Sequence, residues 1–237
     1  MTPQDLPSGY EGLRVGFTAA VSHELRTPLA RLLSLLDTAS LPGVDVPGLI
    51  DEAKAEIVEM TQLVDDILFL SELEQGREVV ALGFTELAPY VAELFDNNRE
   101  RALRAELSLE RDVPPGIVVP MRPRMLVVLL ANLFDNALRY AGRGATFRVT
   151  ARIEHESVIL EVSDDGAGVD ASDVPRLFER FFRSDRSRTT RGTGLGLAIV
   201  KHIVNAADGT AEVEGALGDG TRFRFVLPAQ ARSGRLI

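Results

Sequence analysis

The chain has 237 residues, 45% of them hydrophobic, a formal net charge of −9, no cysteine and three histidines. That length and apolar content supply a real core and exclude a disordered chain, while the acidic balance and the lack of a basic cluster exclude broad nucleic-acid binding. Without cysteine there is neither a disulfide nor a thiolate metal site, and three scattered histidines make no zinc cage.

The polar lead, which contains Pro and Gly, fits either a full-length chain or an excised part of something longer; no apolar run reaches about 18 residues and no signal core is present, so the sequence as written is expected to be soluble. Residues 11–40 carry a helical pattern, LPGVDVPG at 41–48 is a turn, and residues 49–74 are helical again until EQGRE breaks the run. These form an antiparallel helix pair. Phe17, Val21, Leu25, Pro28, Leu32 and Leu36 fall within about 100° of one another, and Ile50, Ala53, Ile57, Met60, Val64 and Ile67 do likewise on the second helix. Two helices leave much of that surface wet, so the pattern predicts pairing of two hairpins into a four-helix bundle, a homodimer.

From Phe84 the character changes. A third helix is expected near 86–104, a strand around 105–111, a helix over 123–140, and a hairpin of TFRVTARI and SVILEVSDDG turning at EHES. A Gly-rich segment follows, then a helix over about 195–206 and strands TAEVEG and GTRFRFVLP, with residues 184–193 expected to form a mobile loop. The fold class is α plus α/β, with an α-hairpin domain over 1–76 and an α/β domain over 77–237.

Four clusters carry chemistry. In SHELRTPLARLLSLLD, His23 points about 170° away from the apolar stripe and so into water, with Glu24 beside it and Thr27 one turn on along the same face. Pro28 cannot donate a backbone bond and predicts a bend just after the histidine. Read alone, the helix is equally a solvated histidine with incidental neighbours. In LLANLFDNALRYA, Asn132 and Asn136 share a helix face, followed by Arg139 and Tyr140. Asparagine is a mediocre helix former, so its amide oxygens suit a job such as holding Mg²⁺, or else they cap nearby backbone. In SDDGAGVD, Asp164 starts a turn where Gly166 and Gly168 permit close approach; a carboxylate there can accept from an exocyclic amine, or the segment only ends a strand. In RGTGLGLAIVKHIV, Gly192, Gly194 and Gly196 lead into a helix whose free N–H groups favour phosphate; the alternative is a glycine linker.

The dinucleotide fingerprint fails because Leu197 stands where its third glycine belongs, and neither a P-loop nor HRD and DFG elements occur. Taken in order, the clusters resemble the boxes of bacterial two-component sensor histidine kinases. SHELRTPL is similar to their phosphoacceptor box, NLFDNALRY to the N box, DDGAG to G1, LFERFFR at 177–183 to the F box and GTGLGL to G2, over about residues 11–228.

This resemblance implies a dimerisation and histidine-phosphotransfer domain followed by an ATP-binding α/β sandwich of the GHKL type. It implies that His23 attacks the γ-phosphate of ATP while Glu24 accepts a hydrogen bond from the other ring nitrogen, and that Thr27 orients water for dephosphorylating a response regulator receiver domain. In the same terms Asn136 holds Mg²⁺, Asn132 supports it or a phosphate, Arg139 meets phosphate, Arg183 either meets phosphate or makes a surface salt bridge, and Tyr140 covers adenine. Asp164 reads the adenine amine, Gly166 and Gly168 give clearance, and Gly192, Gly194 and Gly196 shape the lid. The implied location is the cytoplasm, as a soluble protein or the cytoplasmic part of a membrane sensor whose sensing region lies elsewhere. His155 and His202 match no phosphoacceptor box and read as structural or solvent-facing. Two other readings stand beside this one: a degenerate, dimeric binding module, and a GHKL ATPase without histidine phosphorylation.

Overall fold

A computed structural model describes residues 8–74, 83–184 and 192–229, with side chains in the helical part from Val21 to Leu73. These residues form two compact units. The first takes in two helices as far as Ile67, with Gly192 and Thr193; the second begins at Leu68 and includes residues 83–184 and 194–229.

The helices α1 (Ser8–Ala39) and α2 (Val46–Glu74), the latter in the first unit as far as Ile67, form the expected hairpin. Gly43 turns the chain at φ +81°, a conformation that glycine adopts without penalty. Asp45 then accepts the N–H of Gly48 at 3.2 Å, satisfying a donor that the start of α2 leaves open. Pro28 lies inside α1, which continues through it as one helix. The two apolar stripes are only partly used. Leu25, Pro28 and Leu32 on α1 and Ala53, Met60 and Ile67 on α2 are half-buried and Leu63 is buried, whereas Leu36, Ile50, Ile57 and Val64 are exposed. One facing helix covers only part of a stripe about 100° wide, which leaves the remainder open. The side chain of Phe17 lies outside the described residues.

The second unit contains β1 (Thr85–Glu86), α3 (Leu87–Arg104), β2 (Ser108–Asp112), β3 (Val118–Val119), α4 (Pro123–Tyr140), β4 (Thr146–Glu154), β5 (Ser157–Asp164), α5 (Gly196–Ala206), β6 (Thr210–Ala216) and β7 (Gly220–Pro228), with a 3₁₀ turn at Val174–Arg176. The main sheet runs β2-β4-β5-β7-β6; β2 is parallel to β4 and the other pairs are antiparallel. The pair β1–β3, two residues each, is too short for an alternating pattern to reveal.

Alternation builds the layers. Phe147, Val149, Val158, Leu160, Val162, Phe223, Phe225 and Leu227 are buried on one sheet face. The helices cover that face: Phe134 of α4 meets Phe147 edge to face at 5.4 Å, and Phe95 of α3 lies 6.1 Å from the same ring. The opposite face carries charge. Glu110 pairs with Arg148 at 2.8 Å, Glu161 lies 3.3 Å from Arg152 and 3.7 Å from Arg224, and Arg224 also meets Glu212 at 3.0 Å. The β4–β5 hairpin turns on His155 at φ +54°, as a two-residue hairpin loop requires, which gives this histidine a structural role.

Candidate functional site

On α1 the side chain of His23 is 76% exposed, and its Nδ1 lies 3.8 Å from Oε1 of Glu24. That separation is within ion-pair reach and too long for a hydrogen bond. With Nδ1 on the Glu24 side of so exposed a ring, Nε2 is the nitrogen left for an incoming electrophile. Thr27 Oγ1 donates to the carbonyl oxygen of His23 at 3.4 Å, a long bond back along the helix. The three residues therefore share one exposed stretch, with Glu24 half-buried at its edge.

In the second unit, α4 begins with Pro123, whose missing N–H costs nothing there. Met125, Leu126, Leu129, Leu130, Leu133, Phe134 and Ala137 bury its core-facing side. Asn132, Asn136 and Arg139 fall within about 60° of one another on another side. Their states differ. Asn132 donates its side-chain N–H to Val128 O at 2.9 Å, and a Cβ on Gly196 would stand 2.4 Å from its Oδ1, so this oxygen faces the first residue of α5. Asn136 is half-buried and makes no side-chain hydrogen bond among the described residues. Arg139 is exposed with no ion pair among the described residues, and Tyr140 beside it is half-buried.

The turn after β5 packs against the end of α4. Ala167 N–H donates to Ala141 O at 2.7 Å, and Gly218 N–H donates to Ala167 O at 2.9 Å. A Cβ at Gly166 would lie 2.1 Å from Ala141 O; one at Gly168, where φ is +66°, would lie 1.8 Å from Ala216 O. Both glycines are thus demanded by crossings of backbone on backbone. Gly220 and Thr221, which the sequence reading passed over, complete the junction: a Cβ at Gly220 would stand 1.9 Å from Asp164 O, and the Thr221 N–H bonds the Asp164 carboxylate. The signal available was GDGT between two alternating strands.

Asp164 also accepts the N–H of Gly166 at 3.1 Å. Burial pushes its carboxyl above the ordinary aspartate range, outweighing the two backbone bonds that pull it down, and the neighbouring Asp165 charge adds to the rise. Asp165 is held below its ordinary range, first by the Thr146 N–H, which it accepts at 2.6 Å.

Gly194, at φ +68°, fits against Phe181, whose N–H donates to Gly194 O at 2.9 Å; a Cβ there would lie 2.8 Å from the Phe181 backbone. Arg183 is half-buried just beyond. Gly192 groups with the first unit and Gly194 and Gly196 with the second, while residues 185–191 of the expected loop lie outside the described residues. His202 is half-buried with its Nε2 3.0 Å from Arg180, a packed position unlike that of His23.

The second unit therefore brings together Asn132, Asn136, Arg139 and Tyr140 from α4, the Asp164–Gly168 turn and the start of α5. These surroundings fit a nucleotide: a half-buried carboxylate for an amine, an amide oxygen of Asn136 uncommitted among the described residues for a metal, and helix N–H groups without a side-chain cap. No helix among the described residues is long and apolar enough to cross a membrane.

The family model described as His Kinase A (phospho-acceptor) domain matches residues 13–76, and that described as Histidine kinase-, DNA gyrase B-, and HSP90-like ATPase matches residues 121–231. The chain is 35% identical over 225 residues to the sensor-like histidine kinase SenX3 of Mycobacterium tuberculosis, a match covering 92% of this chain and 55% of that protein. It thus spans about half the length of such relatives. Among solved structures it is similar to the Acinetobacter baumannii histidine kinase AdeS, with TM-score 0.71 and 25% identity over 88% of this chain and 98% of that one. The histidine kinase ThkA in complex with response regulator protein TrrA shares the fold at TM-score 0.74 and 20% identity, over 94% of this chain and 64% of that one. With a phosphoacceptor hairpin followed by a GHKL-type nucleotide domain, the chain belongs to the two-component histidine kinases and carries their catalytic core.

Proposed function

We propose that the chain phosphorylates itself on His23 from ATP and passes the phosphoryl group to an aspartate of a response regulator receiver domain. The observation that carries this is His23 itself: an exposed imidazole with Nδ1 on the Glu24 side, on the helix matched by the phosphoacceptor family. The Nε2 lone pair forms the new bond to phosphorus as the bond to the ADP oxygen breaks, and Glu24 steadies the proton on Nδ1. In the second step a receiver carboxylate oxygen takes the phosphoryl group and the imidazole is restored. ThkA's crystallisation with a response regulator supports such a partner.

Mg²⁺, when bound with ATP, neutralises phosphate charge. Asn136 offers it an oxygen, Asn132 lines the same side, and Arg139 and Arg183 are cations for phosphate. Asp164 accepts from the adenine amine, and Tyr140 covers the ring. Gly166 keeps the turn close to the end of α4 and Gly168 keeps it close to the end of β6, and Gly192, Gly194 and Gly196 shape the approach to the phosphates. Residues 1–76 would carry dimerisation and transfer, and 77–237 nucleotide binding.

A homodimer is part of the same proposal. Leu29, Leu33 and Leu36 on α1, and Ile50, Ile57 and Val64 at heptad spacing on α2, are exposed in the single hairpin, as the seam of a four-helix bundle would be. Dephosphorylation of the regulator through Thr27, and a cytoplasmic location where ATP is at hand, complete it.

The test is incubation with γ-labelled ATP and Mg²⁺. The chain takes up an acid-labile, base-stable label, and His23→Gln loses it while keeping ATP affinity. Acid-labile label persisting in His23→Gln would move the acceptor elsewhere. ATP hydrolysis with no label on the chain would place it among the ATPases instead.

A further inference from the structure

The hairpin buries a carboxylate more deeply than most of its hydrocarbon. Glu56 of α2 retains 4% exposure, whereas Ile57 beside it retains 54% and Leu33 of α1 63%. Its partner is Arg31 of α1, whose Nη1 lies 3.5 Å from Oε1. The arginine side chain is 60% exposed, so the pair is buried on the carboxylate side only. Such a pair is poor evidence for stability, because removing a carboxylate from water costs about what the attraction returns. Its established use elsewhere is to select one alignment among several of similar energy.

This hairpin has that problem. Residues 29–36 of α1 read LARLLSLL, with leucine at five of eight positions, and α2 offers Ile50, Ile57 and Val64 at identical spacing. An apolar contact of this kind is nearly as well satisfied after a slip of one turn, about 5.4 Å, or after a small rotation of one helix against the other. A charge pair across the two helices is not so tolerant: any such slip leaves the buried Glu56 without its cation.

We infer that Arg31 and Glu56 are positioning residues that set the register of α1 against α2 and thereby the height and direction at which His23 is presented. Counting eight residues back along α1 from Arg31 and eight forward along α2 from Glu56 puts His23 level with Val64, about 12 Å from the pair along the axis. The pair touches no reacting atom and acts only through the helix. An error of an ångström in presenting the imidazole is enough to slow transfer, since phosphoryl transfer depends on alignment above all. The consequence for activity rests on the reading of His23 as phosphoacceptor; the consequence for register does not.

Four variants in the full chain test this: Arg31→Ala, Glu56→Ala, the apolar pair Arg31→Met with Glu56→Leu, and the reversal Arg31→Glu with Glu56→Arg. Because the chain has no cysteine, Ser34→Cys and Thr61→Cys, both at exposed positions, accept spin labels. The distance between them, measured in mixtures diluted with unlabelled chain, reads the register directly. The apolar pair is expected to melt at or above the wild-type temperature, to keep ATP affinity, to broaden or shift the 34–61 distance, and to label His23 about tenfold or more slowly. The reversal is expected to restore both the sharp distance and the rate. An apolar pair with wild-type distance and wild-type rate overturns the inference, and so does a reversal that melts normally yet restores neither. A wild-type chain that takes no label on His23 removes the phosphoacceptor reading alone, and the distances then still decide the register.

Discussion

Gly166→Ala separates two reasons for a glycine in the turn after β5. If the glycine serves only to let a nucleotide approach, alanine leaves the nucleotide-free protein as stable as before and weakens ATP. The geometry argues otherwise. The added methyl would stand 2.1 Å from Ala141 O, and the neighbouring Ala167 N–H holds that same oxygen at 2.7 Å. Backbone, unlike a side chain, has no rotamer in which to retreat, so the turn must lift away from the end of α4. Losing the hydrogen bond costs about 1 kcal/mol, and the strain of forcing in a methyl adds about 1–3 kcal/mol. For a unit of this size, each kcal/mol lowers the melting temperature by roughly 2–4 °C, so a fall of about 10 °C is expected without nucleotide. Gly142→Ala is the comparison: its φ is +92° but nothing lies within 4 Å of the added methyl, so only the conformational cost of about 1–2 kcal/mol applies. Calorimetry of the nucleotide-free chain, with ATP affinity measured in parallel, is the assay. An unchanged melting temperature in Gly166→Ala, with ATP affinity lost, would refute the backbone account.

Asn136→Ala should weaken ATP binding in Mg²⁺ by about tenfold or more and reduce labelling with it, while leaving stability within about 0.5 kcal/mol because the side chain makes no hydrogen bond to the described residues; titration with unchanged Mg²⁺ dependence would remove the metal role. ATP affinity should depend on Asp164 ionisation. Its free carboxyl titrates above the ordinary aspartate range, and an amine donor favours the charged form, so affinity rises with pH through that raised value and is flat above it. In Asp164→Asn that pH dependence should vanish from calorimetric titrations, and its persistence would assign it to another group. Thr27→Ala should melt within about 1 kcal/mol of wild type, because its bond to His23 O is long. It should spare labelling and slow decay of the phosphorylated regulator; equal decay in both proteins would leave the hydroxyl as a backbone partner only.

Where a signal is local, the sequence carried it. The span of α4 was legible at both ends because Pro123 fixes its start and the apolar spacing runs to Ala137. The exposure of His23 was legible because a wheel needs only the residues of one helix. The hairpin was legible as a pair of helices, but which part of each stripe faces inward was not, since Ile57 and Val64 belong to the same apolar pattern as the half-buried Met60. The glycines mark the same limit. Their spacing announces that something comes close, yet the atoms that come close at Gly166 and Gly168 belong to Ala141 and Ala216, which adjoin the turn only after folding.

Asn132 and Asn136 carry this furthest. Four residues apart on one helix, they look alike in sequence and invite one role for both. Folding divides them. Asn132 spends its amide on Val128 O and turns its oxygen to Gly196, a residue that tolerates this closeness only because it lacks a Cβ. Asn136, one turn further along α4, makes no side-chain hydrogen bond among the described residues. If one of the two holds a cation, the uncommitted oxygen of Asn136 is the better donor, and Asn132 sets the distance between α4 and the N-terminus of α5. What distinguishes them is contributed by α5, sixty residues away in the chain, so no reading of α4 alone could have assigned them different work.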